Sequence, residues 1–181
     1  MSNAIMKIFA ALLALLLMGI WPLYTAYSSQ DHSSQIVVLN AVTRFVDRVR
    51  DKGYISPPMM QAFKDQLFLT GNTYHIEMEH QHKRYDPVYD DEAQFQHTYQ
   101  VHYEGYYNNQ IEARLFPVGN DNANDPSRLY KLNQGDFFSV TVKNTNRTMA
   151  TLLGDMLFGG SNAPNEKIVV PYGGMVLNED Y

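Results

Sequence analysis

Four side chains able to do chemistry fall within six consecutive positions: Glu77, Glu79, His80 and His82. Carboxylates and imidazoles are ligands for zinc or manganese. If this stretch is a strand, alternation puts Glu77 and Glu79 on one face and His80 and His82 on the other. One ion could then take both histidines, but not readily all four groups. His97 or His102 on a neighbouring strand could add a ligand, yet they differ by an odd number of positions and would face opposite ways. The plainer reading is a solvated strand end with histidines at the rim of a core. His80, His82, Glu77 and Glu79 are therefore the candidate ligand- or metal-binding residues, and no catalytic residue is assigned.

Other signatures are absent. The string Glu79-His80-Gln81-His82-Lys83 is not HExxH, and no GxSxG, P-loop or dinucleotide fingerprint occurs, so nothing here identifies an enzyme or a cofactor. The chain has no cysteine, which excludes disulfides, thiolate metal sites, CxxCH haem attachment and cysteine nucleophiles. Asp90, Asp91 and Glu92, and likewise Asp121, Asn122, Asn124 and Asp125, lack the spaced pattern of a calcium loop and read as solvated loops. Asn146-Arg147-Thr148 matches the short N-glycosylation sequon. A net charge of -5 gives no broad field for phosphate backbones, so nucleic acid is not an expected partner.

The elements that must position these groups are legible from periodicity. Thirteen tyrosines and nine phenylalanines among 181 residues point to a sheet-containing domain. Gln35 to Lys52 reads as an amphipathic helix with Val38, Val42, Phe45 and Val49 on one face and Gly53 as its stop. Ser56 caps a second helix that opens with Pro57 and Pro58 and carries Met59, Met60, Phe63 and Leu67. Tyr74 to His82 alternates as a strand. Lys83 to Ala93 reads as a loop, Phe95 to Tyr106 as a strand, and Ile111 to Phe116 as its hairpin partner. Asp136 to Lys143 is a further strand, and Thr148 to Phe158 a helix with Met149, Leu152, Leu153 and Met156 facing in and Gly159-Gly160 as its end. Lys167 to Val170 and Met175 to Leu177 are short strands around a Pro171-Tyr172-Gly173-Gly174 turn. The expected class is α+β: a hydrophobic N-terminal helix, two short helices, then a mostly antiparallel sheet with one further helix.

The first thirty residues stand apart, giving an expected division into segment 1–30 and a single domain over 31–181. From Ile8 to Leu23 the chain is almost wholly apolar, with Lys7 before it and Asp31 the next charge. Ile5 to Tyr24 is long enough to cross a bilayer, and Trp21 and Tyr24 suit an interfacial belt. A cleaved signal peptide, with Ala26 and Ser28 near the cleavage point, and a buried core helix are the alternatives. The charge bias places the domain outside the cytoplasm, and Ser28 to Ser34 reads as the anchor's end or a brief linker.

Ile8 to Leu23, the Val38-Val42-Phe45-Val49 stripe and the sheet from Tyr74 onward together resemble the plan of a pilin or pseudopilin. Gly19 lies inside the apolar run and no glutamate occurs there, so the likeness is to a minor, TadE-like or conjugation-associated surface component and not to a usual prepilin peptidase substrate. The resemblance implies a membrane-tethered structural or assembly part of a cell-surface, pilus-like or secretion apparatus. Its protein partners would pack on Val38, Val42, Phe45 and Val49. The alternative expectation is an extracytoplasmic module binding a small ligand or a metal.

Overall fold

A computed structural model describes residues 2–90, 94–119, 122–159 and 167–181. Asp91, Glu92 and Asp121 of the acidic loops, and Gly160, lie outside these described residues. The fold is α+β. In chain order the elements are α1 (Ser2–Lys52), β1 (Tyr54–Ile55), α2 (Pro57–Phe68), β2 (Tyr74–Tyr89), β3 (Phe95–Tyr107), α3 (Asn108–Leu115), β4 (Tyr130–Lys131), β5 (Phe137–Asn144), α4 (Met149–Phe158) and β6 (Val169–Met175).

α1 is one uninterrupted helix of 51 residues. Its apolar window has a mean hydropathy of 2.3 with none of it buried, long and apolar enough to cross a membrane. Pro22 sits inside this helix, where it removes a backbone donor, and Thr25 Oγ1 donates to the Pro22 carbonyl at 2.8 Å. Ser28 to Ser34, expected as a linker, is helical. Asp31 is the first buried residue of α1, because its carboxylate accepts from Thr148 Oγ1 at 2.7 Å and pairs with Lys167 Nζ at 3.0 Å.

Beyond Asp31, α1 becomes the spine of the domain. Val38, Val42, Val46 and Val49 are fully buried, and Phe45 stacks on Phe63 of α2 at 4.5 Å and meets Phe138 of β5 edge-on at 6.2 Å. The stripe read as a partner-helix face is therefore the domain's own core: these side chains spend their apolar area on α2 and the sheet. α2 forms as its signals dictate, with Ser56 Oγ accepting from the Met59 N–H and prolines in the first turn.

The main sheet has four strands in the order β3-β2-β5-β6, every pairing antiparallel. In β5, Phe138, Val140, Val142 and Asn144 face the helices and are buried. Opposite them Met78 pairs with Val140 and His80 with Phe138, so the even-numbered residues of β2 share the core face. Three sequence expectations are corrected here. β2 does not stop at His82 but runs to Tyr89, because β3 pairs with it as far as Tyr89↔Phe95. Ile111 to Phe116 is not a strand: Ile111 and Leu115, one helical turn apart, bury one face of α3. The Asn108 amide finishes the edge of β2 instead, accepting from the Met78 N–H at 2.6 Å and donating to the Ile76 carbonyl at 2.5 Å. Finally, Pro171 to Gly174 lies within β6 and is not a turn. Proline is tolerated on this edge strand. Gly173 is required by close approach, since a Cβ there would lie 2.6 Å from Ser139 Cβ and 2.9 Å from the Phe138 carbonyl oxygen, while a Cβ at Gly174 would displace the Arg50 guanidinium, 2.6 Å away.

Past Gln81, β2 has left β5 behind and pairs with β3 alone. The result is a two-stranded arm at the end of the sheet away from the apolar half of α1. Its two faces differ. Tyr85, Tyr89, Tyr99, Val101 and Tyr103 are exposed on one, while Arg84, Asp86, His102 and Glu104 form ion pairs on the other.

Candidate functional site

The even face of β2 outlasts the apolar core by two positions, and those positions are His80 and His82. The residue that meets them is Asp136, in step with Phe138 and Val140 just before β5 begins, and so also core-facing. Asp136 is 1 % exposed. One ligand atom from each of His80, His82 and Asp136 lies within 4.8 Å of the others.

The Asp136 carboxylate gathers four donors, His82 Nδ1 reaching Oδ2 at 3.1 Å as well as Oδ1. Oδ1 accepts from the Lys83 N–H at 3.0 Å and from His82 Nδ1 at 2.9 Å. Oδ2 accepts from the Asn133 N–H at 2.8 Å and from His80 Nε2 at 2.8 Å. Burial pushes its pKa up, but these donors outweigh that and hold it below the usual carboxylate value. The group is therefore an ionised, acceptor-only anchor, and both facing ring nitrogens must carry protons.

His80 is 4 % exposed. Burial lowers its pKa, and the neighbouring Asp136 recovers only part of that shift, so the ring is neutral near pH 7. With its proton on Nε2, Nδ1 is left as an acceptor for the Tyr130 hydroxyl at 2.8 Å. Burial raises the Tyr130 pKa far above that of free tyrosine and keeps it a donor. Tyr130 is held by the β1–β4 pair, opposite Ile55. The His80 ring is fixed further by stacking on Tyr106 at 5.4 Å and by an edge contact with Tyr130 at 5.6 Å.

These groups form one wall of an open cleft of about 480 Å³ that Gln110, Arg114 and Lys131 also line. His82 is the partly exposed member, and its Nε2 makes no hydrogen bond among the described residues.

The structure thus brings together His80 and His82 and separates them from the two glutamates. Glu77 and Glu79 lie on the opposite face of β2. Glu77 pairs with Lys143 at 2.8 Å, Glu79 accepts from Gln81 Nε2 at 2.9 Å, and both line a separate cleft of about 330 Å³ with Ser139 and Thr141. His102 pairs with Asp86 at 2.5 Å on the arm and does not join the site. The residues missed from sequence are Asp136 and Tyr130. The sequon is likewise occupied by structure: the Asn146 side chain bonds Thr73 and Asn72, and Thr148 caps α4. No family model, curated protein or solved structure matches this chain.

Proposed function

We propose that this chain is a membrane-tethered, extracytoplasmic module that binds a divalent transition-metal ion in the cleft. The observation that supports this most directly is the convergence of His80, His82 and Asp136 within 4.8 Å. Two imidazoles and one carboxylate suit zinc, which accepts such donors at about 2.0–2.2 Å and keeps a further position open where three ligands are protein groups. The ion replaces the ring protons that now face Asp136. His80 then donates from Nδ1 to Tyr130, an outer partner that holds the ring in place. Gln110, Arg114 and Lys131 supply donors across the cleft for an anionic small ligand. Ile5 to Tyr24 is the tether, and Lys7 just before its uncharged run Ile8 to Leu23 favours an outward domain.

The test is zinc titration of chelator-treated full-length protein in detergent. One ion per chain, lost in His82→Ala with the melting transition retained, is expected. Absence of binding in the parent protein, or parent-like binding in both His82→Ala and Asp136→Asn, ends this reading.

A surface-assembly role is the second reading, favoured by the β2–β3 arm. An isolated two-stranded ribbon is marginal in water, yet this one holds its aromatic face exposed at the end of the domain away from the tether. In this reading the arm, and not Val38, Val42, Phe45 and Val49, meets protein partners. Site-directed crosslinking from Tyr99 in intact cells tests it, and absence of any protein adduct there counts against it.

A further inference from the structure

We infer that α4 is a second membrane contact, a short helix that descends beside α1 so that its C-terminal end, with Met156 and Phe158, enters the lipid headgroup region at the exit of α1. This rests on the reading of Ile5 to Tyr24 as a tether. The first observation is that α4 is inside out for a helix on a water-facing domain. Its large apolar side chains Met149, Leu152 and Met156 follow the three- and four-residue spacing of one helix face, where such a stripe ordinarily packs inward. Here Ala150 and Thr151 are buried, while Met149 is 51 %, Met156 69 % and Phe158 66 % exposed. The sequence expectation that Met149, Leu152 and Met156 face in is therefore corrected. Small residues, Ala150, Thr151 and Gly154, occupy the side turned inward, and Met149, Leu152 and Met156 are left outside.

Position supplies the second observation. Thr148, the N-cap of α4, bonds Asp31, and Phe158 at the other end meets Tyr24 edge-on at 5.8 Å. α4 therefore runs antiparallel to α1, back toward the apolar segment. Its ten residues cover about 15 Å, the same rise that separates Asp31 from Trp21. Trp21, 6.0 Å from Tyr24, completes a run of rings from α1 to the end of α4. Aromatic rings of this kind are favoured at the membrane–water interface.

The third observation is charge. Asp155, the sole ionisable residue in α4, is paired with Arg147. Lys167 is paired with Asp31. The exposed stripe is thus apolar and continuous with a helix segment none of which is buried. Lipid is the occupant that covers both surfaces at once where the C-terminal end of α4 meets the exit of the apolar segment.

The chain is cysteine-free, so a single introduced cysteine reports without background. Full-length Met156→Cys, labelled with an environment-sensitive fluorophore, is reconstituted into phosphatidylcholine–phosphatidylglycerol vesicles beside Tyr99→Cys on the arm. The Met156 probe should show blue-shifted emission that brominated lipid quenches, and the Tyr99 probe should show neither. Water-like emission at Met156 overturns the inference. So does blue-shifted emission that lipid-borne bromine leaves unquenched, which would mark a protein contact. Flotation of the same vesicles separates the two readings: protein that fails to float removes the tether itself, whereas protein that floats with an unquenched Met156 probe removes only the role of α4.

Discussion

His80 Nε2 and Asp136 Oδ2, 56 residues apart in sequence, are joined by a 2.8 Å hydrogen bond between two nearly fully buried side chains. Asp136 carries this bond together with those to His82, Lys83 and Asn133, so the carboxylate is the joint between β2 and the start of β5. Asp136→Ala strands two backbone donors and leaves His80 buried beside a void. Denaturant unfolding should show a loss of about 3 kcal/mol, since each buried group left unsatisfied costs on the order of 1–3 kcal/mol.

Acid should weaken the metal-free domain in two stages. The folded-state pKa of His80 is lowered, by burial first, so its neutral form is the one the fold accepts. Its contribution is complete above the unfolded-state value of about 6.5 and declines as pH falls from there toward the folded-state value. Asp136 is also lowered, its hydrogen bonds outweighing burial, and its contribution is lost below about pH 4. Melting temperature in the presence of chelator should therefore be flat above about pH 6.5 and fall below it. His80→Gln should flatten the first stage and leave the second.

Phe45 stacks on Phe63 and touches Phe138, which makes it a core residue despite its place on an amphipathic helix. Phe45→Ala should lower stability by about 3–5 kcal/mol. Leu39→Ala, on the exposed side of the same helix, should change it by no more than about 0.5 kcal/mol. Equal effects in chemical denaturation would contradict the assignment of the two faces.

Tyr85 and Tyr99 project from the arm without covering any core. Replacing both with serine should leave the thermal transition of the domain within a few degrees of the parent, about the effect of 1 kcal/mol in a chain of this size. Loss of crosslinked or co-purifying protein in that variant is the outcome the assembly reading requires.

Much of this fold was legible because local chemistry and tertiary packing agree. Ser56 with Pro57 and Pro58 announces α2, and the Val38-Val42-Phe45-Val49 spacing announces the core half of α1. The alternation from Tyr74 to Met78 sorts core from solvent, and it sorted His80 and His82 from Glu77 and Glu79 as well. Asp136 could not be joined to them, because nothing local states that β2 pairs with β5 in the register His80↔Phe138. Its even phase with Phe138 and Val140 was the one available sign that it faces inward. α3 was mistaken for a strand because a short apolar run has no decisive period. α4 was legible as a helix but not as to its exposed face, since hydrophobicity alone assumes that water is the solvent outside.

One property of α1 reaches further than its length. The segment apolar enough for a bilayer and the segment that forms the core belong to the same helix, with no flexible joint between them. A domain built this way does not swing on a leash. With Ile5 to Tyr24 in lipid, Phe45 stands about 30 Å along the helix from the membrane exit, and Phe138, beside His80, stands level with it. The cleft lined by His80, His82 and Asp136 is then held at a set height above the bilayer, as on a post, and whatever it meets must come to that plane.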